Sequence, residues 1–369
     1  MSHPLGREHG SAAATELPIR PLTRDEILGW LREAGAARLE DLWRQSDEVR
    51  RRSVGAAVHL RGLIEISSFC VRQCGYCGLR AGNSVLERYR MTEEEILGCA
   101  RQAVQYGYGT VVLQAGEDYG ITTEWLAAVV RRIKAETRLA VTLSLGERPA
   151  GDLAEWRRAG ADRYLLRFET SDPDLYRVIH PSLPDRPSDR LAILRILRDL
   201  GYEIGSGVMI GIPGQSFESL ANDIDTFRAL DLDMIGVGPY IPHPATPLGR
   251  GEWRRRLPGG QQVPGTELMV YKAVALTRLV CPEANIPSTT ALATINRENG
   301  RERGLMRGAN VVMPNLTPPR YRAKYEIYPG KACINETAQA CRVCLRHRIE
   351  ALGRSVGTGP GGRAHTPSL

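Results

Sequence analysis

The sequence predicts an α/β protein folded as a complete (βα)8 barrel of the TIM type. Three observations carry that reading. Apolar, β-rich runs alternate with amphipathic helical ones between residues 58 and 315, the pattern of βαβ units on a parallel sheet. The alternation yields eight strand-plus-helix units, the count that closes a barrel; an open sheet with one misread strand is the alternative. Polar and Gly-rich segments follow the strands, as expected where their C-terminal ends share one mouth and build an active site.

Residues 1–20, polar with an Ala run and prolines, are expected to be disordered. Segment 21–57 should supply two short helices, near 24–34 and 38–50, that pack on the bottom or side of the barrel. The barrel proper, 58–315, opens with a strand at 59–66. A helix at 92–107 follows, with Thr92 as N-cap, Glu95 completing a capping box and Gly107 past its end. Further strands are expected at 110–114, 140–145, 162–168, 203–210, 233–237, 285–288 and 308–313. Helices at 124–135, 153–159, 189–200, 216–229 and 267–279 fall between them. Segment 249–265 reads as an exposed insertion loop, 316–354 as a C-terminal extension carrying cysteines, and 355–369 as a disordered Gly-rich tail.

At 369 residues with 42% apolar content and 38 glycines, the chain has the composition of an ordinary soluble α/β protein. No apolar run approaches the roughly 18 residues that span a bilayer, and no signal peptide precedes the cysteines, which predicts a cytoplasmic protein without membrane contact. The net charge of +7 is spread as Arg pairs such as Arg131-Arg132 and Arg157-Arg158, the pattern of solvated helix faces. Without a basic stripe interleaved with aromatics, nucleic acid is not expected as a partner. The positive balance favours an anionic substrate or an acidic electron donor.

The chemistry centres on Cys70, Cys74 and Cys77, spaced C-x3-C-x2-C. Three thiolates can hold three irons of a cubane 4Fe–4S cluster and leave the fourth iron open, and an open metal position is a reactive one. A zinc knuckle would pair two C-x2-C units or add a histidine, and none lies near Cys77 in sequence. Eight cysteines in 369 residues are too sparse for a disulfide scaffold. The spacing, with Tyr76 just before the third cysteine, resembles the cluster motif of radical S-adenosylmethionine (SAM) enzymes. That resemblance implies that SAM chelates the open iron through its amino and carboxylate groups. An electron from the cluster then cleaves it to a 5′-deoxyadenosyl radical.

Other candidates sit at the predicted strand ends. Gly116 lets backbone approach a ligand and Glu117 can anchor a cation, although a plain strand-to-loop turn reads the same way. Arg167 and Glu169 share a face by period-two alternation, and a charged pair closing an apolar strand needs partners. Those partners are each other, or else Glu169 turns to a cofactor and Arg167 to an anionic substrate group. Arg190, opening a helix, suits bidentate binding of a carboxylate. A second set, Cys333, Cys341 and Cys344, fits a second iron–sulfur cluster, with zinc held together with His347 as the rival. Cys99 and Cys281 read as buried apolar side chains.

The strings CVRQCGYCGLR (70–80), LSLGE (143–147), ADRYLLRFET (161–170), GVGPYIPHP (236–244) and GANVVMPN (308–315) resemble FeFe-hydrogenase maturases of the HydE type, relatives of biotin synthase and methylornithine synthase. The resemblance runs over 55–355 and implies a full barrel with a large internal cavity. It makes Cys70, Cys74 and Cys77 cluster ligands, and places Tyr76, Glu169, Arg190 and Met234 beside SAM. Gly116-Glu117 stands in for a Gly-Gly-Glu-like turn that contacts the SAM amino group. Thr142, Arg167, Thr289, Thr290, Met313 and Tyr325 match cavity positions that would hold the substrate. Cys333, Cys341 and Cys344 match an accessory-cluster site that varies among members. The implied partners are SAM, a small anionic iron–cysteine–carbonyl–cyanide substrate, the other hydrogenase maturases, and reduced ferredoxin or flavodoxin. Departures fall at Ala115, where serine is familiar, and at 181–187, where an extra stretch blurs the register of Arg190. A methylornithine synthase-like mutase acting on a free amino acid and a non-catalytic iron–sulfur scaffold are the competing readings. A scaffold has no use for Glu169, Arg190 and the Gly116-Glu117 turn gathered at one mouth.

Overall fold

The computed structural model describes residues 21–363 except 254, 256, 335 and 336, and except the side chains of Ala340 and Cys341. Segment 1–20, expected to be disordered, lies outside the described residues, as does 364–369. No helix among the described residues is long and apolar enough to cross a membrane.

Seven strands form the central path: β1 (Ala57–Ser67), β2 (Thr110–Ala115), β3 (Ala140–Ser144), β4 (Arg163–Leu165), β5 (Glu203–Ile210), β6 (Met234–Pro239) and β7 (Val311–Val312). They lie in the order β6-β5-β4-β3-β2-β1-β7, every pairing parallel. Parallel neighbours need a crossover, and amphipathic helices supply it. The helix Thr123–Glu136, for example, turns Leu126, Val129, Val130 and Ile133 into the core shared with the strands. β1 is buried along almost its whole length, as a strand covered on both faces must be. The capping box at Thr92 and Glu95 forms as its sequence predicts and starts the helix Glu93–Gln105. The two N-terminal helices form at Arg24–Arg32 and Ala36–Val54, packing on the helices Phe217–Ala229 and Glu267–Val280.

Three expectations are corrected. Residues 285–288 do not form a strand; single bridges, Met234↔Asn285 and Pro287↔Val311, stand in its place. Pro287 has no N–H to extend a ladder. β4 ends at Leu165 instead of 168. Beyond it Glu169 takes a left-handed φ of 64°, outside strand geometry, although it still bridges Val208.

The third correction is the tail. Residues 355–363 are ordered beneath the N-terminal ends of the strands. β8 (Ser355–Val356) pairs with Ala57 and Val58 of β1. Thr110 Oγ1 donates to Pro360 O at 2.8 Å and Arg61 Nη2 to Gly361 O at 2.9 Å, while Arg363 pairs with Asp231 and Asp233. The glycines that suggested disorder are what lets this segment fit: a Cβ on Gly109 would lie 1.7 Å from Gly359 O. The 249–265 insertion is likewise not wholly exposed. Val263 is buried, and Trp253 packs on an apolar cluster of Met209, Ile212, Tyr240 and Leu248.

Candidate active site

β1 ends at Ser67 and the chain turns at once into the cysteine loop, placing Cys70, Cys74 and Cys77 at the C-terminal end of the sheet. All three are free, Cys74 buried and the others half-buried. The loop backbone is pinned from three sides, Val71 N to Glu117 O at 2.9 Å, Gly75 N to Ile179 O at 2.8 Å and Gly78 N to Ile327 O at 3.0 Å. Gly78 has no room for a side chain, since a Cβ would meet Glu326 O at 2.1 Å. Burial pushes the Cys70 and Cys74 thiols up, and Cys77 to about 12. Without a metal these groups stay protonated; a metal is what would hold them as thiolates. Among the described residues no three His, Cys, Asp or Glu side chains converge on one ion-sized point. A cubane does not require that, because each thiolate takes its own iron.

Behind the loop lies a buried polar network that the sequence did not announce. Glu147 Oε1 accepts from Arg190 Nε at 2.9 Å and Ser188 Oγ at 2.6 Å, and lies 3.0 Å from His180 Nε2. Its Oε2 accepts from Arg72 Nη2 at 2.8 Å, and Arg72 Nε donates to Glu117 Oε1 at 2.8 Å. His180 Nδ1 in turn stands 3.0 Å from Cys74 Sγ. Burial alone would raise the Glu147 carboxyl, but His180, Arg190, Ser188 and Arg72 outweigh it and hold the group below the usual carboxylate range. Burial and the neighbouring Arg190 lower His180 to about 4, so the imidazole is neutral at pH 7. Its Nε2 faces Glu147 Oε1 and Arg190 Nη2, the latter at 3.1 Å, and its Nδ1 faces the Cys74 sulfur.

A cavity of about 330 Å³ opens at the strand ends. Tyr76, Cys77, Glu169, Arg190 and Met234 line it, as do Thr142, Arg167, Thr289, Thr290 and Met313. Two groups of expected residues do not. Glu117 turns to Arg72 and Tyr119, and Gly116 packs its backbone on the cysteine loop, where a Cβ would lie 2.3 Å from Phe69 O. Tyr325 stands one layer behind the wall, its hydroxyl bonded to Gln114 Nε2 at 3.1 Å. The Thr289 hydroxyl caps the helix Thr290–Ile295.

Several buried polar atoms in this region have no hydrogen-bond partner: Glu169 Oε2, Thr142 Oγ1, Arg167 Nε and Arg61 Nε. Arg167 Nη2 lies 3.2 Å from Glu169 Oε2 but off a hydrogen-bonding direction, and is spent on Val208 O at 2.5 Å. Orphaned buried polar atoms are rare, and four at one cavity fit a polar, charged ligand with both anionic and cationic groups. The left-handed φ of Glu169 belongs here too, since backbone strain of this kind concentrates at ligand sites.

The C-terminal cysteines are only partly visible. Cys333 and Cys344 border a second pocket of about 140 Å³ with Arg297, Arg301 and Arg348, while the Cys341 side chain lies outside the described residues. Cys99 is buried as expected, its thiol on Leu316 O, while Cys281 is half-buried and packs on the core.

The radical SAM superfamily model matches residues 64–227, the span that holds the cysteine loop, Glu147, Glu169 and Arg190. Fold, cysteine spacing and this match define the class: a radical SAM enzyme. The chain is 45% identical over 354 residues to the [FeFe] hydrogenase maturase subunit HydE of Thermotoga maritima, covering 96% of this chain and 97% of that one, and it therefore belongs to the HydE family. It is also 28% identical to the 3-methylornithine synthase of Methanosarcina acetivorans over 79% of each. Among solved structures, methylornithine synthase superposes with a TM-score of 0.76 at 24% identity, over 92% of this chain and 95% of that one. The hydrogenase maturase HydG of Carboxydothermus hydrogenoformans gives 0.74 at 19% identity, over 91% and 76%. These two structural likenesses show the fold. Family membership implies a 4Fe–4S cluster and SAM as cofactors.

Proposed function

We propose that this protein is a radical SAM maturase of FeFe-hydrogenase, acting in assembly of the di-iron subcluster and its dithiolate bridge. One observation carries the reading: 45% identity along essentially the whole chain to a HydE, so that both the cysteine loop and every wall of the cavity fall within the match. The two single bridges through Asn285 and Pro287 support a closed barrel, since they join β6 to β7 across the gap left in the strand order.

Cys70, Cys74 and Cys77 would hold the cluster, which when bound supplies the electron that splits SAM into methionine and a 5′-deoxyadenosyl radical. Arg190, already at the mouth, would take the SAM carboxylate, and Glu169 Oε2, which has no hydrogen bond, its ammonium, with Tyr76 and Met234 on the adenosyl side. Because Glu117 faces Arg72, its part is to brace the cysteine loop and not to contact SAM. Apolar side chains of the wall, among them Leu63, Val112, Leu165 and Ile235, would help shield a carbon radical from water. Arg167, Thr142, Thr289, Thr290 and Met313 would hold a small anionic substrate, an iron–cysteine–carbonyl–cyanide complex handed over by a partner maturase, with reduced ferredoxin or flavodoxin as donor. Cys333 and Cys344, facing one small pocket, support a second metal or cluster site.

The mutase reading rests on the 28% identity to 3-methylornithine synthase. Co-production of an FeFe-hydrogenase with its other maturases, with and without this chain, separates the two. Active hydrogenase only when this chain is present supports the maturase. Inactive hydrogenase, with isomerisation of a free amino acid by the purified protein, supports the mutase.

A further inference from the structure

The cysteine loop is tied at its base by one side chain. Arg88 Nη1 donates to Ser68 O at 2.5 Å and to Leu79 O at 2.8 Å, and its Nη2 to Arg80 O at 2.8 Å and Asn83 O at 3.2 Å. Ser68 precedes the three cysteines and Leu79, Arg80 and Asn83 follow them, so the guanidinium clamps both flanks of the loop together. Among the described residues no carboxylate lies within ion-pair distance of it, although Arg72 pairs with Glu117 and Glu147 and Arg90 with Asp118. Four backbone carbonyls take the hydrogens of its two Nη atoms and leave its full charge uncompensated in a partly buried place. Ser68 O and Leu79 O lie two residues before Cys70 and two after Cys77, so the guanidinium sits where the two ends of the cysteine loop meet. The carboxylates that act on these two cysteines, Glu117 and Glu169, oppose it.

We propose that Arg88 is the built-in counter-charge of the cysteine site, a positioning residue that clamps the loop and eases one-electron reduction of the cluster that Cys70, Cys74 and Cys77 would hold. A cubane on three thiolates is anionic, and reduction adds one further negative charge. A fixed cation at the base of the loop stabilises the reduced form more than the oxidised one, and net charge and surroundings are among the levers that set such potentials. The proposal rests on the reading of a 4Fe–4S site.

The test is an EPR-monitored redox titration of the anaerobically reconstituted full chain, with dithionite as reductant and without SAM. Arg88→Met is expected to bind iron like the wild type but to have a more negative midpoint potential. Arg88→Lys keeps the charge but cannot span four carbonyls, so it should hold a near wild-type potential with a lower melting temperature. A wild-type potential in Arg88→Met overturns the proposal, and so does an equal shift in both variants, which would assign the effect to loop geometry. If Arg88→Met holds no cluster, Arg88→Gln, uncharged but with an amide donor for part of the clamp, is judged by the same two criteria. A wild-type protein that takes up no 4Fe–4S cluster contradicts the site reading itself, a result distinct from an unchanged potential.

Discussion

Arg190 Nε donates to Glu147 Oε1 at 2.9 Å while its Nη1 donates to Arg167 O at 2.6 Å. The guanidinium that the sequence offers to a cofactor carboxylate is therefore already aimed by a carboxylate of the protein. The same Glu147 holds Arg72 and His180, and His180 touches Cys74. One carboxylate thus joins the cysteine loop to the cofactor-facing arginine.

Removing that carboxylate should be costly. Glu147→Ala leaves the buried Arg72 and Arg190 without a shared counter-charge, and breaking a buried pair from one side costs about 3–5 kcal/mol. Denaturant unfolding of the two proteins should show a loss of that order, together with weaker SAM binding. Wild-type stability in the variant would mean the network is incidental.

Arg167 and Glu169 should divide their roles. Arg167→Leu is expected to leave SAM affinity near wild type and to impair hydrogenase activation severely. Glu169→Ala should lose SAM binding before anything else, because Glu169 lines the cavity and its Oε2 makes no hydrogen bond. Paired SAM titrations and maturation assays check this; equal loss of SAM binding in both would show that the 3.2 Å contact between them acts as one structural pair.

Much of this was legible in the sequence, for a physical reason. Short, near-continuous apolar runs mark strands such as β2 and β3, and a capping box marks a helix start, because both are local signals. The cysteine spacing is local as well. His180, Glu147, Arg72 and Arg88 were not legible, since each is one polar residue among many until the fold brings residues up to 106 positions apart into contact, as with Cys74 and His180. The tail misled for the opposite reason. Its glycines signal flexibility in isolation, yet Gly359 and Gly361 are small enough to slip against Gly109 and His59.

Ending the chain after Arg354 should open the floor of the barrel. The truncation removes the β8 pairing, the carbonyl partners of Thr110 and Arg61, and the Arg363 ion pairs. With buried hydrogen bonds worth about 1 kcal/mol each, a stability loss of roughly 2–3 kcal/mol is expected. Faster amide exchange should appear at the N-terminal ends of β1 and β2. Unchanged exchange there would show that the tail is not a seal.

Asp223 gives stability a pH dependence. It is buried on the helix Phe217–Ala229, accepting from Ser171 N and Oγ at 2.5 and 2.6 Å. Burial moves it up from the ordinary 3.8 to about 7, against the lowering effect of Ser171 and Gln215. A carboxyl raised in the folded state binds its proton more tightly there than in the unfolded chain. Its contribution is thus fully present below 3.8 and is lost as pH rises towards about 7. Asp223→Asn should therefore flatten the decline in unfolding free energy across that window; an unaltered slope would assign the decline to other groups.

The most direct measurement is SAM cleavage by the anaerobically reconstituted, dithionite-reduced protein and its Cys70→Ala, Cys74→Ala and Cys77→Ala variants, followed as 5′-deoxyadenosine. The account predicts formation by the wild type and none by any of the three, each losing one thiolate of an open-iron cluster. Sustained 5′-deoxyadenosine formation by any one of them would contradict it.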